Sequence, residues 1–386
     1  MVLVYAKYFK ACPFKLPVMI RPTHIVQALW IFGNSLKRRF AGIRRYEGDA
    51  EEICRQIVKD CWNGRYFLTS KGHFCEFYCR DFGWCAESLI KLGYEKEVEK
   101  TLDYVLDVFS RKGGIKTTIT PYGKPIDIYD YSPDSLGFIL RTISLLNSKR
   151  IVEKYRDFLN AEVRKFHDVV IDKDTGLVKK DKQFSSMKDY SKRKSSCYDN
   201  VMVWVVQDSL NKIKFLHNPL KKYDLKKIVR KNFWNEGYFL DDLSGKGYVA
   251  GDANVFPFWT GMFDDGKMIK SAIAKMQKEC LDKPMPLSYT SQDVKTSMIV
   301  QELFVPGYEQ STIWTHMGPL FIEVVSKINK QRAKEYLLQY KEMIEKYKNY
   351  LEIFDRKLKP YKTPFYYSDE SMLWAANYLA LSKNLL

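Results

Sequence analysis

No stretch of this sequence reaches the about 18 consecutive apolar residues that a bilayer-crossing helix requires, so a spanning segment is excluded and no membrane partner is expected. There is no Cys-x-x-Cys pair among the eight cysteines. Cys75, Cys79 and Cys85 fall close together without zinc-ligand spacing, so structural thiols are expected, with no metal and no cofactor. The opening Met1-Val2-Leu3-Val4-Tyr5-Ala6-Lys7 lacks the charged-then-apolar order and cleavage site of a signal peptide, and a cytoplasmic location is the expectation. Gly/Ser-rich and Pro-rich linkers are also missing, so residues 1–386 are expected to form one domain.

What the chain has in quantity is apolar and basic. Apolar residues make up 46% and aromatics 15%, enough to fill a core and still line a cleft. Lys and Arg outnumber Asp and Glu by 63 to 46, a net charge of +17 that raises the question of nucleic acid. The basic runs Lys179-Lys180, Lys192-Arg193-Lys194, Lys221-Lys222 and Lys226-Lys227 are scattered and have Asp181, Asp189 and Asp224 among them. A Lys-rich, thermophile-like solvated surface accounts for them, and nucleic acid is not expected as a partner.

Apolar residues recur at three and four in thirteen segments, near 23–40, 50–62, 83–92, 95–111, 134–147, 150–170, 198–216, 221–231, 254–263, 267–280, 311–328, 330–348 and 369–383. The β-rich runs Ile115 to Ile119 and Tyr238 to Asp242 are short and fall between helices. Alternating strand and helix units are absent, so the pattern predicts an all-α fold of helical hairpins.

Several acids stand where such helices begin. Asp81, Asp134, Asp199, Glu309 and Glu370 lie at or near predicted N-termini, where a carboxylate caps free amides and suits the helix dipole. Capping alone explains any one of them. Their company of Tyr, Trp and Asn is what suggests a sugar site, which needs flat apolar faces and forked polar groups.

Five segments carry a resemblance to a known family. They are Tyr78-Cys79-Arg80-Asp81-Phe82-Gly83-Trp84; Tyr131-Ser132-Pro133-Asp134-Ser135-Leu136; Ser195-Ser196-Cys197-Tyr198-Asp199-Asn200; Gly307-Tyr308-Glu309-Gln310-Ser311-Thr312-Ile313-Trp314; and Leu351-Glu352-Ile353-Phe354-Asp355 with Ser368-Asp369-Glu370-Ser371-Met372-Leu373-Trp374. In that order they resemble the six-hairpin (α/α)6 glycosidases, the group of glucoamylases and of the glucosidase domain of glycogen-debranching enzymes. The resemblance implies an (α/α)6 toroid and an inverting exo-glycosidase that removes a terminal, α-linked glucosyl residue from an oligosaccharide or small glycoside. The alternative on the same fold is a sugar-binding protein that has lost catalysis.

Inversion requires a general base and a general acid on opposite faces of the sugar. Glu352 matches the base position, although Arg356 stands where the debranching segment has Gly. Asp199 matches the acid, with Asp134 as the alternative. The resemblance gives Arg80 and Asp81 to the sugar hydroxyls, and Trp84, Asp134, Tyr198, Asn200, Tyr308, Glu309, Trp314, Glu370 and Trp374 to the rest of the pocket. Each Trp is equally suited to core, and Arg80 with Asp81 to a buried salt bridge. His316 is a hydroxyl donor or a structural histidine.

Overall fold

A computed structural model describes residues 22–386 except 130, 292–293, 295–301 and 303–304. The reading of the first seven residues lies outside the described residues. Thirteen helices are described: α1 (Pro22–Ala41), α2 (Ala50–Cys61), α3 (Cys79–Lys91), α4 (Glu95–Arg111), α5 (Pro133–Leu146), α6 (Lys149–Val170), α7 (Cys197–Lys212), α8 (Leu225–Phe233), α9 (Gly251–Trp259), α10 (Gly266–Lys278), α11 (Met317–Ser326), α12 (Lys330–Tyr347) and α13 (Ala375–Leu385). The strands are two residues long and lie in loops, so the fold is all-α.

Two kinds of helix alternate. Every residue of α9 is buried, as are most of α5 and α7, whereas α4, α6 and α12 bury one stripe. Helices that are apolar all round belong inside and amphipathic ones outside. Contacts agree: α3 packs on α5, α5 on α7, α7 on α9, α9 on α11, α11 on α13, and α13 returns to α3. The amphipathic helices clothe this closed cycle, α4 on α3, α6 on α5, α8 on α7, α10 on α9, α12 on α11 and α2 on α13.

Side-chain bonds join the first turns of neighbouring inner helices. Arg80 in α3 pairs with Asp134 in α5 at 2.6 Å, and Tyr198 in α7 donates to the same carboxylate at 2.9 Å. Trp374, just before α13, donates its indole N–H to Asp81 in α3 at 3.0 Å, which closes the cycle. The inner helices therefore present their N-termini at one end. Gly83 permits the tight packing of α3 on α5, since a Cβ there would lie 2.3 Å from Phe138.

Three helices begin later than their apolar periodicity predicts, α8 at Leu225 rather than 221 among them. The segment 311–328 yields helix only from Met317, because Ile313–Trp314 forms a strand that pairs antiparallel with Ile353–Phe354. The segment 369–383 becomes helical at Ala375, leaving Asp369 and Glu370 in the loop before it.

Candidate active site

The strand pair just described sets Glu352 beside Thr315, whose amide donates to the Glu352 carbonyl at 3.1 Å. The Glu352 side chain is buried, with the residue 1% exposed, and accepts hydrogen bonds from three groups, two hydroxyls and an amide. The Tyr308 hydroxyl donates to Oε1 at 2.7 Å, the Tyr366 hydroxyl lies 2.9 and 2.7 Å from Oε1 and Oε2, and the Asp369 amide is 2.9 Å from Oε2. Burial, followed by the charge of Asp369, pushes the Glu352 carboxyl up to about 8, and the donors oppose the shift.

Asp369 is itself fixed by Ser70 Oγ at 2.5 Å and by the amides of His73 and Phe74 at 2.8 and 3.0 Å. Its approach depends on Gly72, where a Cβ would sit 1.7 Å from Asp369 Oδ1. The His73 ring lies 3.2 Å from Asp369 and 3.0 Å from the Tyr366 hydroxyl. The glycine missing after Asp355 is replaced by other means: Asp355 accepts the amides of Lys357 and Lys359, and Leu358 takes the left-handed position at φ 55°.

Asp199 is 5% exposed in the first turn of α7 and accepts Ser186 Oγ at 2.7 Å and Ser196 Oγ at 2.6 Å. Burial pushes its carboxyl up to about 6, against the pull of Arg193. Arg193 donates to Ser186 at 2.9 Å and to Asp252 at 3.0 Å. Lys188, fully buried, completes the cluster at 2.7 Å from Asp241 and 3.4 Å from Asp252. A small cleft opens here between Phe184, Ser186, Arg193 and Asp199.

The other acids have separate tasks. Asp134 is fully buried and takes bonds from Arg80, Tyr198 and Ser132, so it anchors its neighbours. Glu309 receives the amides of Asp189 and Tyr190 at 2.8 and 2.6 Å, which fixes the segment before Asp199, and burial plus Asp189 push it up to about 8. Asp81 is half-buried, and burial lifts it to about 7. Asp189, expected only as a solvated acid among the basic runs, is also half-buried and lies 3.6 Å from Arg80.

Three expected sugar contacts are occupied within the protein instead. Glu370 pairs with Arg38 at 2.7 Å and accepts the Arg44 amide, so it secures α1. Asn200 accepts the Val178 amide and donates to Ser195 and to the Ser196 carbonyl, which uses both ends of its amide. Tyr198 is buried with its hydroxyl on Asp134. All three are displaced from the pocket lining for the same reason: their polar groups find closer partners in the loops they join.

An aromatic floor lies between Asp81 and Glu352. Trp84 stacks on His316 at 4.3 Å, the rings of Trp314 and Trp374 are each 5.0 Å from His316, and Tyr308 meets Trp314 at 4.7 Å. Burial and then Arg80 hold His316 neutral. Arg80 Nη2, Trp84 Nε1 and His316 Nδ1 are buried without hydrogen-bond partners among the described residues. Such orphaned polar groups are costly unless a ligand satisfies them.

No family model matches this chain, and no curated protein matches it. Solved structures do. A glycosidase in complex with glucose superposes with TM-score 0.60 at 13% identity, over 87% of this chain and 96% of that one. The GH63 mannosylglycerate hydrolase of Thermus thermophilus, with Tris and D-glycerate, gives 0.57 at 11% over 87% and 100%. A Klebsiella oxytoca rhamnosidase with rhamnose bound gives 0.60 at 10%, over 88% and 65%. The chain shares its fold with these glycosidases. At such identities the likeness concerns the path of the backbone, and the chemistry rests on the residues above.

Proposed function

We propose that this chain is an inverting glycoside hydrolase built as one (α/α)6 toroid, acting on a terminal sugar of an oligosaccharide or small glycoside, with an α-linked glucosyl residue as the preferred group. The observation that carries the reading is Glu352, a carboxylate buried beside an aromatic floor and held toward protonation near neutral pH. A general base is most effective when its pKa lies near the working pH. Glu352 takes a proton from the water that attacks the anomeric carbon, and Asp199, raised by its own burial, gives one to the departing glycosidic oxygen. Asp81 and Arg80 hold sugar hydroxyls, the unpaired nitrogens of Trp84 and His316 supply further donors, and Trp314, Trp374, Tyr308 and Glu309 complete the wall. Acid–base hydrolysis of this kind uses water alone.

The alternative, a catalytically inactive sugar-binding protein on the same fold, would show no turnover of any glycoside. The test is the stereochemistry of the first product. Proton NMR of α-glucoside hydrolysis is expected to show β-glucose forming first; initial α-glucose would require a double displacement and would overturn the assignment of Glu352 as a base acting on water.

A further inference from the structure

Helix α1 presents an apolar seam to solvent. Val26, Leu29, Trp30, Leu36 and Phe40 are exposed, Leu29 at 68% and Phe40 at 86%, and their spacing of three and four places them along one face. The seam runs about 20 Å, from the 1.5 Å helical rise. The opposite face is already committed: Gln27 donates to Glu76 at 2.5 Å, Ser35 bonds the backbone of Tyr367, Arg38 pairs with Glu370, and Arg39 donates to the Thr363 carbonyl at 3.0 Å. The seam therefore cannot turn inward without breaking those bonds.

Charge identifies what fits it. Lys37 and Arg45 lie on or just past the seam, whereas Arg38 and Arg44 are paired with Glu370 and Asp60 and Arg39 bonds the Thr363 carbonyl; in the sequence four further basic residues precede the helix and the first acid is Glu47. A second copy docking seam to seam would bring like charges together. Nucleic acid would suit the charge and leave the apolar side chains in water. Exposed apolar residues flanked by Lys and Arg, with no acid, are the composition of a helix that lies in the plane of a lipid interface.

We infer that α1 docks this protein on an anionic membrane surface, with the seam among the upper acyl chains and Lys37 and Arg45 among the headgroups. The absence of a spanning helix among the described residues bears on crossing a bilayer and leaves surface docking untouched. This inference is independent of the proposed hydrolysis, and its test uses no substrate. The full chain is sedimented with vesicles of phosphatidylcholine alone or with about 30% phosphatidylglycerol, beside the double variant Leu29→Glu/Phe40→Glu. The wild type is expected to partition several-fold more strongly onto the anionic vesicles and to lose that gain in high salt. The variant is expected to bind at least tenfold more weakly while melting at the wild-type temperature. Equal partitioning of wild type and variant overturns the inference. So does a dimer in light scattering that the variant dissociates, or a drop of several degrees in melting temperature without vesicle binding, which would show the seam covered by the chain itself. Binding to duplex DNA of comparable charge, unchanged in the variant and with vesicles ignored, overturns it as well.

Discussion

Of the raised carboxyls, Asp199 and Glu352 are both buried, yet their surroundings differ in kind. Asp199 faces a cationic cluster, Arg193 backed by Lys188, Asp241 and Asp252, and stops at about 6. Glu352 has hydroxyls and an amide around it and another carboxylate, Asp369, behind it, and reaches about 8. Burial acts on both in the same direction, and what separates them is the sign of the nearest fixed charge. With Glu352 the higher of the two, the pair's single proton rests mainly on Glu352, and the reactive form, with Asp199 neutral and Glu352 ionised, is the minor one.

The strongest test of this contrast removes each charge in turn. Glu352→Gln keeps the shape of the site and is expected to lower turnover by about 100- to 10,000-fold. Steady-state kinetics showing more than about a tenth of the wild-type rate would take the base role from Glu352. Asp199→Asn should depend on the leaving group, costing alkyl glycosides far more than activated aryl ones. An equal loss on both, measured alongside Asp189→Asn, would move the acid role to Asp189, which is half-buried beside Arg80.

That reactive form carries one proton in total, so kcat/KM should still follow a bell with limbs near 6 and 8, read as properties of the pair. Each limb is then tunable through a neutral donor. Ser186→Ala removes a bond to Asp199, raises its pKa and moves the acidic limb up by about one unit, narrowing the bell. Tyr366→Phe does the same to Glu352, moves the alkaline limb up and widens it. If both variants shift the same limb, the assignments are interchanged or wrong.

The smallest effect is on stability. Glu352 rises from 4.5 to about 8 on folding, so the folded chain binds more protons across that window and loses stability as pH climbs through it. Glu352→Gln has no such loss. Its melting temperature relative to wild type should increase between pH 5 and pH 9, by calorimetry at matched ionic strength.

All thirteen helices were legible because each carries either a continuous apolar surface or a clear stripe, and those two patterns separate inner from outer helices. Boundaries failed where a polar loop overlaps an apolar run, as at Ile313–Trp314, whose strand pairing depends on a segment forty residues away. The site was legible in part, through acids placed at helix starts. His73 and Tyr366 escaped notice, and Asp189 and Arg193 read only as solvated surface charge, because all four lie in loops without periodicity and gain meaning only from their partners in the fold. Tyr366 had one visible cue, its place in the aromatic run Phe365-Tyr366-Tyr367 ahead of Ser368-Asp369. Glu370 misled for the converse reason: its adjacency to Asp369 says nothing of direction, and the chain turns it toward α1.

The closure of the helical cycle has a consequence for how the protein is made. Ser70 with Asp369, Tyr46 with Ser371, and Asp81 with Trp374 each join residues about three hundred positions apart. A ribosome delivers the amino-terminal member of every such pair long before its complement, and loop closure over that distance is slow. Helical hairpins form locally during translation. Glu352, Tyr366 and Asp369 are made close to three hundred residues after Ser70 and Asp81, so the nascent chain has no assembled pocket until that late stretch has emerged.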